Sequence, residues 1–152
     1  MINSSNLSIL SIGPVDEHLT TLADILRQSS WEASLAPAGR LASCSGVEAA
    51  LPKLQSRRVP VVLCDAQADW RRLLEHLRGI PNPPFLIVTS RLADDRLWSE
   101  ALNLGAYDVL AKPFDPNEVV RVLTMAWMRW SERSTRSFRR PQREQLIEAV
   151  CA

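Results

Sequence analysis

Short apolar runs that stop on a polar residue recur along this chain, and that repetition constrains its fold more than any other feature. The clearest are Val59 to Cys64, which stops on Asp65, and Phe85 to Val88, which stops on Thr89 and Ser90. A short, continuous run rich in β-branched residues suits a strand buried on both faces, as in a parallel sheet covered by helices. Leu7 to Ile12, a weaker Trp31 to Ala36, and Val109 to Ala111 bring the number of such runs to five. The third and fourth are the most continuous and belong at the centre of the sheet.

Helical patterns fill the intervals. Leu19, Leu22 and Leu26 share one helix face, as do Trp70, Leu73, Leu74 and Leu77. Ser45 and Glu48 form a capping box for a helix to about Leu54, which Pro52 is expected to end or kink. Asp95 to Leu104 is a fourth helix, with Leu97, Ala101 and Leu104 inward and Gly105 as its stop. The fifth has the strongest start signal, with Asp115 as N-cap, Pro116 at the first position and Glu118 at the third, and is expected to reach about Trp130. Strands alternating with helices predict an α/β fold with a doubly wound, five-stranded parallel sheet. Residues 1–130 make that domain. Residues 131–152 read as a basic tail or linker, with a short extra helix from Gln142 to Val150.

The bulk numbers fit one domain and exclude several functions. The chain has 152 residues, 46% of them hydrophobic, enough to bury a core. Lys plus Arg at 18 against Asp plus Glu at 17 gives a net charge of +1, so no overall field draws it to nucleic acid or membrane. Its apolar runs are strand-sized and no basic leader opens the sequence, so a soluble, cytoplasmic protein is expected. Cys44, Cys64 and Cys151 have neither disulfide nor metal-ligand spacing. His18 and His76 stand apart from any recognisable catalytic partner, and both nucleotide-cradling glycine motifs are absent. No enzyme is expected.

In an open parallel sheet, ligands bind outside the carboxyl ends of the strands. Asp65, Thr89 and Lys112 therefore converge at one rim if the strands run the same way. The segments "VPVVLCD", "PPFLIVTS" and "GAYDVLAKPFDPNEVV" resemble the third, fourth and fifth strand ends of the receiver domain of bacterial response regulators, the CheY-like family. The similarity covers roughly Leu7 to Trp130. It implies the flavodoxin-like strand order 2-1-3-4-5 and a role in two-component phosphorelay signalling. It further implies Asp65 as phosphoacceptor, Thr89 and Lys112 as the groups that sense the phosphoryl, and a cis bond before Pro113. The chemistry agrees, because a carboxylate can attack phosphorus and a lysine offsets the added charge. The plain structural reading is that Asp65 caps the following helix and Lys112 pairs with it.

The departures bear on mechanism. Receivers carry adjacent acids after the first strand that hold magnesium, and this chain has Gly13 and Pro14 there. Asp16 is the nearby acid left to join Asp65 at a metal, although Asp16 and Glu17 look like first-turn acids of a helix. "AQADW" replaces the usual loop after the phosphoacceptor, and Val109 stands where the family has its switch aromatic. These losses predict an atypical receiver that signals through binding. A histidine kinase or other signalling protein is the expected partner. A homodimer through the fourth and fifth helices is also expected, with Trp98, Arg121, Trp127, Arg129 and Trp130 as interface residues. Two rival classes have less support. A nucleic-acid module would rest on the arginines of 129–143 alone, without a recognition helix or aromatic platform. A flavodoxin-like cofactor carrier lacks a phosphate-cradling loop.

Overall fold

The computed structural model describes residues 9–28, 41–56 and 58–151, with side chains as far as residue 133. Five parallel strands form one sheet in the order β2-β1-β3-β4-β5. They are β1 (Ile9–Ile12), β2 (Leu41–Cys44), β3 (Val61–Asp65), β4 (Phe85–Ser90) and β5 (Asp108–Ala111). The helices are α1 (Glu17–Gln28), α2 (Val47–Ser56), α3 (Trp70–Leu77), α4 (Asp95–Leu104) and α5 (Pro116–Cys151). This is the doubly wound parallel sheet that the alternating pattern predicted, in the flavodoxin-like strand order that the receiver resemblance implied.

Strand residues alternate between two apolar layers, as the period of two requires. Leu10, Ile12, Val62, Cys64, Leu86, Val88 and Val109 face α2, α3 and α4, where they meet Ala50, Leu54, Trp70, Leu73 and Ala101. Ile9, Val61, Leu63, Ile87 and Leu110 face α1 and α5, where they meet Leu22, Leu26, Val119, Leu123 and Ala126. All five residues of β3 are buried, which is why its sequence is an unbroken apolar run up to Asp65.

Three elements differ from the sequence expectation. The second strand is Leu41–Cys44, whereas the expected Trp31 to Ala36 lies outside the described residues. It is an edge strand with only Cys44 fully buried, so its sequence carries little apolar signal. Helix α2 passes through Pro52 to Ser56 instead of ending there. Pro52 lies on its exposed side, and the helix is pinned to the sheet on the other by Val47, Ala50 and Leu54. Helix α5 does not stop near Trp130 but continues to Cys151, so residues 131–143 are helical and not an irregular tail. Ser131 to Arg140 contains no glycine or proline, and the helix tolerates the single break that Pro141 introduces.

Candidate functional site at the carboxyl rim of the sheet

Parallel pairing brings the three predicted residues together. Asp65 is the last residue of β3 and lies opposite Thr89 in the β3–β4 register. Ala111 pairs with Ser90 at the end of β5, which places Lys112 at the same level one strand further on. The Lys112 backbone N–H donates to Ser90 O at 2.9 Å, and the Lys112–Pro113 bond is cis. Across this rim the Lys112 ammonium donates to Asp65 Oδ2 at 2.5 Å. Both side chains are about nine-tenths buried, at 8% and 11% exposure, and Thr89 is buried beside them.

The other Asp65 oxygen is also taken. The loop "AQADW" folds back on its own acid: Gln67 N–H donates to Asp65 Oδ1 at 2.9 Å, and Ala68 N–H donates to the Asp65 carbonyl at 2.9 Å. Asp65 therefore caps this turn and not α3. The N-cap of α3 is Asp69, which accepts from Arg72 N–H at 3.2 Å. Cys64 points to the opposite face of the sheet, where burial above all, helped by the negative charges of Asp65 and Asp69, pushes its thiol up to about 12.

Asp16 lines the same depression as Asp65, Thr89 and Lys112, but its carboxylate is committed locally. Its Oδ1 accepts from His18 N–H at 3.0 Å and Leu19 N–H at 3.3 Å, the work of an N-cap for α1. Desolvation acts to raise its pKa, yet the hydrogen bond from Leu19 and the positive charge of Lys112 outweigh it, and the pKa is lowered. Among the described residues no group of three or more His, Cys, Asp or Glu side chains is placed to hold a metal ion. The magnesium seat that the resemblance implies is thus not fitted by these residues.

For two residues of the pocket the sequence did not disclose the packing. His18, which looked isolated, is buried in the first turn of α1, edge-on to Phe114 at 6.4 Å between ring centres. Its Nε2 is buried without a hydrogen-bond partner. Gly13 lies against Asp65 itself. A histidine in the first helical turn and a glycine directly after a buried strand were the available signals, and neither shows from spacing alone which way it faces.

The candidate interface residues are mostly packed. Trp98 is half-buried against the α2–α4 layer and Trp127 against the α1–α5 layer. The Trp130 indole donates to Asn82 O at 3.3 Å. Arg121 is exposed, and the Arg129 guanidinium lies 5.7 Å from the Tyr107 ring centre. The large apolar groups exposed on this side are Leu102, Leu104, Met125 and Met128.

The same architecture occurs in known proteins. The signal receiver domain of an HD-domain-containing protein from Pseudomonas fluorescens Pf-5 superposes with a TM-score of 0.70 at 24% identity, covering 90% of this chain and 96% of that one. A CheY-like response regulator receiver domain protein from Methanospirillum hungatei JF-1 superposes with a TM-score of 0.65 at 16% identity, covering 84% and 98%. The chain has the receiver fold of response regulators. In sequence, the transcriptional regulatory protein ZraR of Escherichia coli O157:H7 is 31% identical over 125 residues, 80% of this chain. That match spans 26% of ZraR, so this receiver-like chain corresponds to about a quarter of the curated relatives it matches. No family model matches the chain. Among the described residues no helix is long and apolar enough to cross a membrane.

Proposed function

We propose that this chain is a receiver module of two-component signalling that acts through partner binding, with Asp65 held in a standing ion pair and not used as a magnesium-dependent phosphoacceptor. The observation that carries this reading is the occupancy of Asp65: one oxygen is bound by Lys112 and the other by Gln67 N–H. A carboxylate with a hydrogen bond on each oxygen, beside a second acid, Asp16, that is committed to capping α1, is poorly placed to gather a metal for attack on a phosphoryl dianion. Position 109 supports the same reading. Val109 is fully buried and too small to swing with Thr89 as an aromatic ring could.

The test is exposure of the protein to acetyl phosphate or phosphoramidate with magnesium, followed by intact-mass measurement. The expected outcome is no added phosphoryl mass, and rapid stoichiometric labelling of Asp65 would reverse the reading. That outcome is the second reading, in which Asp65 is the phosphoacceptor and Thr89 and Lys112 sense it; the meeting of these three groups at one rim favours it.

The partner on this reading is a histidine kinase or another signalling protein. A homodimer through α4 and α5 would use Leu102, Met125, Met128 and Arg121 more than the packed tryptophans. Light scattering after size exclusion distinguishes it from a monomer. Residues 1–130 form the module and residues 131–152 its extension.

A further inference from the structure

The Gly13 corner of the pocket is held on one side by the backbone of β2 and on the other by the stem of Asp65. Gly13 has φ +151°, a conformation that L side chains rarely adopt, and a Cβ added there would stand 2.9 Å from Asp65 Cβ. Neither neighbour can yield. Gly13 N–H donates to Cys44 O at 2.9 Å, which ties the corner to the end of β2. Asp65 sits in a fully buried strand paired on both sides by β1 and β4, and the next residue, Ala66, donates to Thr89 O at 2.8 Å.

From this we infer that the metal corner of the pocket is closed by the Asp65 side-chain stem, held in place by β3, and not merely stripped of acids, and that the Lys112 ammonium is its permanent cation. The inference rests on reading this rim as the receiver site. It reaches further than missing ligands, because it says that putting the ligands back does not restore the seat. An aspartate at position 13 meets the Asp65 stem before its carboxylate can face a metal. Asp16 cannot substitute while it caps α1. A metal at Asp65 would have to share a carboxylate whose Oδ2 already accepts from Lys112 and whose Oδ1 already accepts from Gln67 N–H. A divalent cation would also have to enter beside that buried ammonium, at a cost that falls on both charges.

The experiment is calorimetric titration of magnesium chloride into the full chain and into two variants, with thermal melting of each. The wild type is expected to give no saturable heat across the millimolar range. The double variant Gly13→Asp, Pro14→Asp is expected to stay silent and to melt about 5 °C lower, because a side chain is forced into a strained and filled position. Pro14 is exposed, so Pro14→Asp alone keeps the Gly13 conformation; it is expected to melt as wild type does and also to stay silent, which covers the case of a double variant that does not fold. Saturable binding by the wild type or by either variant overturns the inference. Its fate is separable from that of the functional reading: labelling of Asp65 by a phosphodonor in chelator would end the binding-module reading and support a metal-independent pocket.

Discussion

Lys112 Nζ and Asp65 Oδ2 meet at 2.5 Å although they stand 47 positions apart in sequence, so one ion pair ties the end of β3 to the loop that leaves β5. With both side chains about nine-tenths buried, this is an interior pair and not a surface contact. Interior pairs are asymmetric in energy. The intact pair contributes little beyond its own desolvation, whereas losing one partner strands a buried charge.

Lys112→Met is therefore expected to destabilise the fold by about 3 to 5 kcal/mol, through an uncompensated Asp65. Asp65→Asn is expected to cost a similar amount through Lys112. The double variant is expected to cost clearly less than the two singles together, since it leaves no lone charge. Urea unfolding of the four proteins measures the cycle. Additive losses would show that the two groups do not depend on each other.

This rim was legible in the sequence because it needs only strand direction and strand ends, and polar residues closing apolar runs disclose both. The second strand was not legible for a physical reason. An edge strand of four residues, "LASC", buries little and has no periodicity to read. The end of α5 was obscured by composition, because an arginine-rich stretch with one proline suits a solvated helix as well as a tail. The missing acids at Gly13 and Pro14 could be read directly, but the closure of that corner could not. It depends on a distance between residues 52 positions apart in sequence, set by the β1–β3 register.

A second anchor lies at the other end of the sheet, between α5 and the loop that leads into β4. Arg133 Nε donates to Asn82 Oδ1 at 2.9 Å, its Nη2 donates to Pro83 O, and its guanidinium lies 4.4 Å from the Phe85 ring centre. Asn82 takes the left-handed conformation at φ +49°, which asparagine tolerates better than most residues. Asn82→Ala is expected to cost about 1 to 2 kcal/mol, through a lost acceptor for a charged donor and a strained backbone. Asn82→Gly is expected to cost less, since it relieves the strain while losing the same acceptor. Denaturant midpoints for the two variants give the order, and equal losses would remove the backbone contribution.

Gly105 ends α4 at φ +112°, with its N–H donating to Leu102 O at 3.2 Å and the following Ala106 N–H donating to Ala101 O at 2.9 Å. There is open space around its α-carbon, so any penalty for a side chain is conformational and not steric. Gly105→Ala is expected to destabilise by about 1 kcal/mol, with Gly105→Asn costing less because asparagine accepts the left-handed region. Thermal melting of both decides. Equal behaviour of the two would mean that φ at this position relaxes on substitution.

The buried thiol of Cys64 gives a pH dependence of known sign. Its pKa rises from 9.0 to about 12 on folding. Between those values the unfolded chain releases the thiol proton while the folded chain retains it, so raising the pH favours unfolding. The stabilisation is whole below pH 9 and declines by about 1.4 kcal/mol per pH unit towards pH 12. Cys64→Ala removes this group, and its stability is expected to fall less steeply than that of the wild type over the same window. The wild-type thiol is also expected to resist iodoacetamide at pH 8 while the protein is folded and to react on unfolding, because only the thiolate is nucleophilic. Parallel slopes for the two proteins above pH 9, or ready alkylation of folded Cys64, would show that this thiol ionises as an exposed one does.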